Sequence, residues 1–135
     1  MSISKIEHIG IAVKSLDQSI PTIEKLLNVN CYKREVIADQ NVTTAFFKIG
    51  DTKLELLEPI NGEGPIQKFL DSRGEGLHHI AFKVDGCDEA LTTAKSNGFR
   101  LIDQESRPGA ENMYIGFLNP KKTFGTLIEF CSAIK

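Results

Sequence analysis

The chain repeats one sequence pattern at a nearly constant spacing, and this repeat limits the folds available to it. His8 and His79 are 71 positions apart. The same offset relates three further pairs: Ile9 and Ile80, Val13 and Val84, and Asp17 and Asp88. Further along, "KLELL" around Glu55 corresponds to "LIEFC" around Glu129 at an offset of 74. Matches in a fixed order with one small insertion indicate a duplicated supersecondary unit.

Each copy reads as a strand, a helix and three more strands. The first copy has alternating apolar residues over 5–13, helical spacing over about 17–28, and the β-rich runs "CYKREVI", "NVTTAFFKIG" and "TKLELLEP". The second predicts a strand over 77–84, a helix over 87–97, and strands near 99–104, 113–118 and 125–132. A polar connector with a short helix at 65–71 joins them. The predicted organisation is one domain, 1–135, with module one at 1–60, the connector at 61–75 and module two at 76–135.

The length of each module predicts that the two modules pair. A module of roughly 65 residues buries only a thin core by itself, so the apolar faces of the two are expected to be covered by pairing. The fold class predicted from the pattern is α+β, with two tandem βαβββ modules whose sheets pair around a cleft.

Composition excludes several classes of protein. Of the 135 residues, 41% are hydrophobic and 25% charged, which is ordinary for a soluble globular chain. No apolar run is long enough for a membrane span and the start lacks a signal-peptide pattern, so we expect a cytoplasmic protein that contacts no membrane. A net charge of −2 gives no basic footprint for nucleic acid. Three widely spaced cysteines, Cys31, Cys87 and Cys131, predict small core residues rather than disulfides.

Strand alternation brings a histidine and a glutamate of each copy to one face of its sheet. His8 shares its face with Gly10 and Ala12, while Ile9, Ile11 and Val13 face the helix. Likewise His79 shares its face with Ala81. Each glutamate, Glu55 and Glu129, lies between two core residues and therefore points away from the helices. A carboxylate on such a face requires a partner, because an unpaired buried charge costs several kcal/mol.

Two histidines and two glutamates, one of each per module, predict a metal site. The predicted ligands are His8, Glu55, His79 and Glu129. Imidazole nitrogen with carboxylate oxygen suits a divalent ion such as Co, Ni, Mn, Fe or Zn. The alternative is two ordinary His–Glu hydrogen-bonded pairs in a packed interface. Three neighbouring residues are expected not to bind the metal: His78 as a structural residue or as a support for a ligand, and Glu7 and Glu58 as solvated or loop-facing groups.

The motifs resemble the vicinal oxygen chelate superfamily, also called the glyoxalase fold. Within it, "HIGIAV", "FFKIGDTKLELLEP", "GEGLHHIAFKVD" and "FLNPKKTFGTLIEFC" are similar to the methylmalonyl-CoA epimerase family along nearly the whole chain. The resemblance implies a glyoxalase-like fold, a divalent metal ion and a small-molecule acyl-CoA substrate. It aligns His8, His79 and Glu129 with family ligands and places Glu55 where relatives have Gln or Glu. Members of the superfamily are often homodimers.

The resemblance also implies an isomerase that inverts the α-carbon of methylmalonyl-CoA through an enolate. Such a reaction needs a cation at the developing oxyanion and a base within reach of the carbon-bound proton. The candidate catalytic residues are Glu55 and Glu129. Thr44 stands where some bacterial relatives have a glutamate, which argues against a base at that position. The segment "SRPGAENM" is a candidate lid, and five cations could meet the coenzyme phosphates: Lys48, Lys53, Arg107, Lys121 and Lys122.

Three other functions fit parts of this pattern. Glyoxalase I, a lactoylglutathione lyase, uses a similar ligand set in its bacterial forms. An extradiol dioxygenase uses two histidines and one carboxylate, so a fourth protein ligand argues against it. A non-catalytic small-molecule-binding protein of the same fold generally lacks the metal ligands.

Overall fold

The computed structural model describes all residues, 1–135, and its elements follow the predicted order. The first half contains β1 (Ile3–Ala12), α1 (Leu16–Leu27), β2 (Lys33–Ile37), β3 (Val42–Ile49) and β4 (Thr52–Pro59). Helix α2 (Pro65–Arg73) follows. The second half contains β5 (Gly76–Val84), α3 (Cys87–Ser96), β6 (Arg107–Pro108), β7 (Met113–Leu118) and β8 (Ile128–Ala133). The βαβββ order is therefore present twice, as predicted.

The chain forms two compact units whose boundaries lie within β1 and β5. The first unit is residues 9–78, and the second unit is residues 1–8 together with 79–135. In the first unit the strand order is β2-β3-β4-β1, and in the second it is β6-β7-β8-β5 with the start of β1 beside β5. The same strand order in both units is the structural counterpart of the sequence repeat.

Helix α1 and the core beneath it stabilise the first unit. The Ser15 side chain caps the helix by accepting a hydrogen bond from the Gln18 N–H at 3.3 Å, a common device at helix starts. Glu58 Oε1 accepts a second hydrogen bond, from the Leu16 N–H at 3.1 Å. Glu58 therefore faces the turn that precedes the helix, which agrees with the loop-facing alternative expected for it. The helix packs on a buried cluster formed by Val13, Leu16, Ile20, Ala45, Phe47 and Leu56. Leu54 and Leu56 face this core, as predicted from their position beside Glu55.

Helix α3 covers the second unit in the same way. Its buried cluster contains Val84, Cys87, Ala90, Leu91, Ala94, Leu118 and Phe130, with Phe82 and Ile128 packed against it. Ala81, Ile115 and Cys131 form a separate small cluster with Met113 and Phe117. Because Ala81 and Phe82 belong to different clusters, β5 sends alternate side chains to opposite faces, as predicted. Cys87 and Cys131 are buried, whereas Cys31 is only partly so.

The predicted strand near 99–104 is wrong. Leu101 makes only an isolated bridge with Leu118, and the strand occurs later, at Arg107–Pro108. The cause is Asp103, whose Oδ2 accepts a hydrogen bond from the Phe117 N–H at 2.8 Å and so replaces a strand carbonyl. The segment "SRPGAENM" is consequently part strand and part turn, with a 3₁₀ turn only at Ala110–Asn112.

Candidate metal centre

His8 and His79 face each other because of the register of two strands in the second unit. The Ser2 and Asp85 backbones are hydrogen-bonded at 3.3 Å, and Ser4 Oγ donates to the Lys83 carbonyl at 3.5 Å. These contacts define an antiparallel register that places position 8 opposite position 79. The two Nε2 atoms are accordingly 3.0 Å apart, and the rings meet edge to face.

Glu129 reaches the same point from β8. It lies beside Ala81 in the parallel pairing of β5 and β8, and the small alanine leaves space for the longer carboxylate. Its Oε1 is 3.3 Å from Nε2 of His79, and its Oε2 is 3.5 Å from Nε2 of His8. All three residues are at most 7% exposed. Their ligand atoms lie within 4.8 Å of one another, so they could share one ion.

Glu7 fixes the orientation of the His8 ring. Its Oε1 is 2.8 Å from Nδ1 of His8, and Glu7 is buried. The carboxylate favours a proton on Nδ1, which leaves the Nε2 lone pair directed at His79 and Glu129. The expectation of a solvated Glu7 is therefore wrong. Alternation fixes only the direction of Cβ, and two methylene groups let the carboxylate return to the neighbouring ring.

The chemistry of this cluster fits a cation. Glu129 Oε2 is buried yet accepts no hydrogen bond, although buried carboxylate oxygens nearly always have a partner. Beside it, the two imidazole Nε2 atoms lie 3.0 Å apart, a distance at which either one ring donates its proton to the other or both lone pairs bind a shared cation. A divalent ion bound by His8, His79 and Glu129 would satisfy all of these atoms, which is the donor set that Zn, Fe, Co and similar ions use.

Glu55 occupies the corresponding position in the first unit. It is buried, lies on β4 and is paired across the sheet with Phe46. The hydrogen bond from the Val13 N–H to the Leu57 carbonyl, at 2.9 Å, gives β1 and β4 the register that β5 and β8 have in the second unit. This register puts Glu55 beside Gly10, as Glu129 is beside Ala81. The membership of Glu55 in the metal centre stays a prediction.

His78 is structural, as expected. It lies in the first unit, with its ring edge to face against Phe69. Burial, with a smaller contribution from the charge of Arg73, lowers the pKa of His78 to about 4. It is therefore neutral near pH 7.

Among the predicted coenzyme contacts, Lys122 donates from Nζ to the Gly98 carbonyl at 2.8 Å. Lys53 lies over the Phe46 ring. The roles of these two lysines, and of Lys48 and Lys121, toward a coenzyme stay predictions.

The fold and this centre define a class of protein. A family model described as the Glyoxalase/Bleomycin resistance protein/Dioxygenase superfamily matches residues 7–117, and the chain belongs to that superfamily. This confirms the predicted glyoxalase-like fold class. No helix of the protein has both the length and the hydrophobicity of a membrane span.

Within the superfamily the chain is a relative of methylmalonyl-CoA epimerases, which are isomerases. It is 32% identical to the mitochondrial methylmalonyl-CoA epimerase of Dictyostelium discoideum, over 96% of this chain and 78% of that one. The solved structure of a variant of Streptomyces coelicolor methylmalonyl-CoA epimerase, in complex with 2-nitronate-propionyl-CoA, shares 33% identity and a TM-score of 0.94, covering 98% of this chain and 96% of that one. An uncharacterized protein of Bacillus subtilis, YqjC, is 38% identical over 95% of this chain and 91% of its own.

Proposed function

We propose that this protein is a metal-dependent epimerase that inverts the α-carbon of methylmalonyl-CoA. The observation that carries the proposal is the buried group of His8, His79 and Glu129, whose Glu129 Oε2 accepts no hydrogen bond. The similarity of this chain to proteins named methylmalonyl-CoA epimerase supports the choice of reaction. The acyl-CoA substrate, the homodimer and the cytoplasmic location belong to the same proposal.

The ligands that we assign are His8, His79 and Glu129, with Glu55 as the fourth. The repeat supports Glu55, because it has the same relation to Gly10 that Glu129 has to Ala81. A bound divalent ion would stabilise the negative charge that develops on the thioester oxygen as the α-proton leaves. A fourth protein ligand also argues against dioxygenase chemistry, which needs open positions for oxygen and catechol.

The remaining steps are assigned to the side chains. Inversion requires a proton to leave one face of the α-carbon and another to return to the opposite face, so two acid–base groups are needed. We assign these roles to Glu129 and Glu55. A carboxylate that binds through one oxygen keeps the other to accept a proton. Phe117 packs edge to face against the His79 ring, with centroids 5.5 Å apart, and so keeps water from that side of the centre.

The decisive experiment follows the α-proton directly. Metal-loaded protein incubated in D2O with one stereoisomer of methylmalonyl-CoA should incorporate deuterium at C2 and form the other stereoisomer. E129Q should lose both activities, whereas E105Q, a change at an exposed glutamate of the same unit, should keep them. Ethylmalonyl-CoA in a parallel reaction tests the size of the acyl group. Absence of C2 exchange with either substrate would contradict the proposal.

Glyoxalase I uses the same kinds of ligand, so the centre alone does not separate the two reactions. Thioester formation from methylglyoxal and glutathione, without C2 exchange in methylmalonyl-CoA, would identify that activity instead. Elemental analysis tests the remaining alternative, a non-catalytic small-molecule-binding protein. A protein that binds no divalent metal even on titration would be a binding protein rather than an enzyme of this type.

A further inference from the structure

One cation of the second unit is held rigidly next to the metal centre. The ring of Phe117 contacts His79 on one side, and the guanidinium carbon of Arg107 lies 5.9 Å from the centroid of the same ring. Arg107 is paired with Ile115 across β6 and β7, and Ile115 packs with Phe117 and Ala81. Arg107 therefore belongs to the face of the sheet that carries His79 and Glu129, with a single aromatic ring between it and the centre.

Asp103 fixes this arginine in place. Its Oδ1 accepts a hydrogen bond from Nε of Arg107 at 3.0 Å, while its Oδ2 accepts from the Phe117 N–H at 2.8 Å. One carboxylate thus holds both the guanidinium and the strand that carries the phenyl ring. The Arg107 side chain is 35% exposed, so it is accessible to a ligand.

The contact to Asp103 uses only Nε. The two terminal amino groups of Arg107 take no part in that hydrogen bond. A planar guanidinium fixed through Nε presents those groups as a fork, which matches two oxygens of one carboxylate or phosphate. Its position over an aromatic ring adds a cation–π contact that orients the plane. These features are typical of a preorganised oxyanion-binding site rather than of a solvated surface charge.

We propose that Arg107 binds an anionic group of the acyl-CoA substrate and is a specificity-determining residue of the enzyme. The inference rests on the proposed function. The group that Arg107 binds is an oxyanion. Two parts of the substrate carry one: the malonyl group has a free carboxylate, and the coenzyme has phosphates.

The test compares two substrates, methylmalonyl-CoA and methylmalonyl-pantetheine, which lacks every phosphate. R107M should raise KM for methylmalonyl-CoA about tenfold or more, because a charge-assisted pair of hydrogen bonds is lost, with kcat changed much less. A similar increase with methylmalonyl-pantetheine identifies the carboxylate as the ligand. An increase only with methylmalonyl-CoA identifies a phosphate.

The controls separate binding from stability. R100M removes an exposed arginine of the same unit and should leave KM unchanged. R107K keeps the charge but not the fork, so it should raise KM by an intermediate amount, and it carries the test if R107M does not fold. Unchanged KM for both substrates, a loss confined to kcat, or an equal effect of R100M would overturn the inference while leaving the epimerase intact. Absence of exchange in the unmodified protein would instead overturn the proposed function and this inference with it.

Discussion

At the scale of single residues, the candidate metal centre depends on groups that orient the proposed ligands as well as on the ligands. Sequence alternation identified His8, His79 and Glu129, which the structure brings together. It missed Glu7, which contacts Nδ1 of His8, because alternation describes backbone direction and not the reach of a flexible side chain. A chemical requirement points to Glu7: an imidazole that binds a metal through one nitrogen donates a hydrogen bond from the other, and Glu7 is the adjacent acceptor.

The contact between Glu7 and His8 predicts a loss of metal affinity in E7A. Without the carboxylate, the Nδ1 tautomer and the ring orientation are no longer fixed, so the Kd for the divalent ion should rise about 10- to 100-fold. Calorimetric titration with Co or Zn measures this. E7Q, which keeps an acceptor for Nδ1, should fall between E7A and the unmodified protein, and E105Q should bind normally. Equal Kd values for E7A and the unmodified protein would contradict the assignment.

The three thiols should differ sharply in reactivity. Burial, with the nearby charge of Asp88, raises the pKa of Cys87 to about 12, so its reactive thiolate is scarce at pH 8. Cys131 is fully buried, and only Cys31 is partly exposed. A thiol reagent should therefore modify one cysteine in the native protein and all three in guanidinium chloride. C31S should abolish the native reaction, and fast labelling of C31S would show that a buried thiol is accessible.

At the scale of elements, the clearest sequence signals gave the most accurate boundaries. The helix predicted at 87–97 is observed at Cys87–Ser96, and the strand predicted at 113–118 is observed there. The errors lie where a side chain competes with the backbone. Asp103 takes the Phe117 N–H and prevents a regular strand before it. Such a competition depends on a residue distant in sequence, so local periodicity does not reveal it.

Helix α3 approaches β7 closely at one glycine. A Cβ on Gly116 would lie 2.6 Å from Cδ1 of Leu91, which is fully buried. G116A should therefore cost about 1–3 kcal/mol of unfolding free energy through overpacking, measured by urea denaturation. The matched control is a double-mutant cycle with L91A, which removes the obstructing atoms. In that background G116A should cost close to zero, and an undiminished cost would mean that the clash is not the cause.

At the scale of the whole molecule, the repeat in the sequence and the compact units of the structure have different boundaries. Residues 1–8 belong to the second unit, where they lie beside β5 and supply His8. A fragment of module two alone, 76–135, lacks that strand. It should be largely unfolded by circular dichroism and hydrogen exchange, because roughly 60 residues without their neighbouring strand bury too little apolar surface. Mixing it with fragment 1–75 should restore protected amides, and a stable isolated fragment would contradict this view.

Metal binding should stabilise the whole fold, because the proposed ligands come from strands far apart in sequence. An ion that binds only the folded state adds about 2.7 kcal/mol at a concentration 100 times its Kd. The melting temperature should therefore rise on addition of Co, Ni, Mn, Fe or Zn and fall again with EDTA.

Adjacent histidines provide the matched test of this stabilisation. H79N removes a proposed ligand and should abolish the metal-dependent rise in melting temperature, whereas H78N changes a residue that contacts Phe69 instead and should keep it. The rise should also shrink on acidification, since protons compete with the ion for the imidazoles. A full metal response in H79N, or its loss in H78N alone, would place the ion elsewhere and remove the basis for the proposed chemistry.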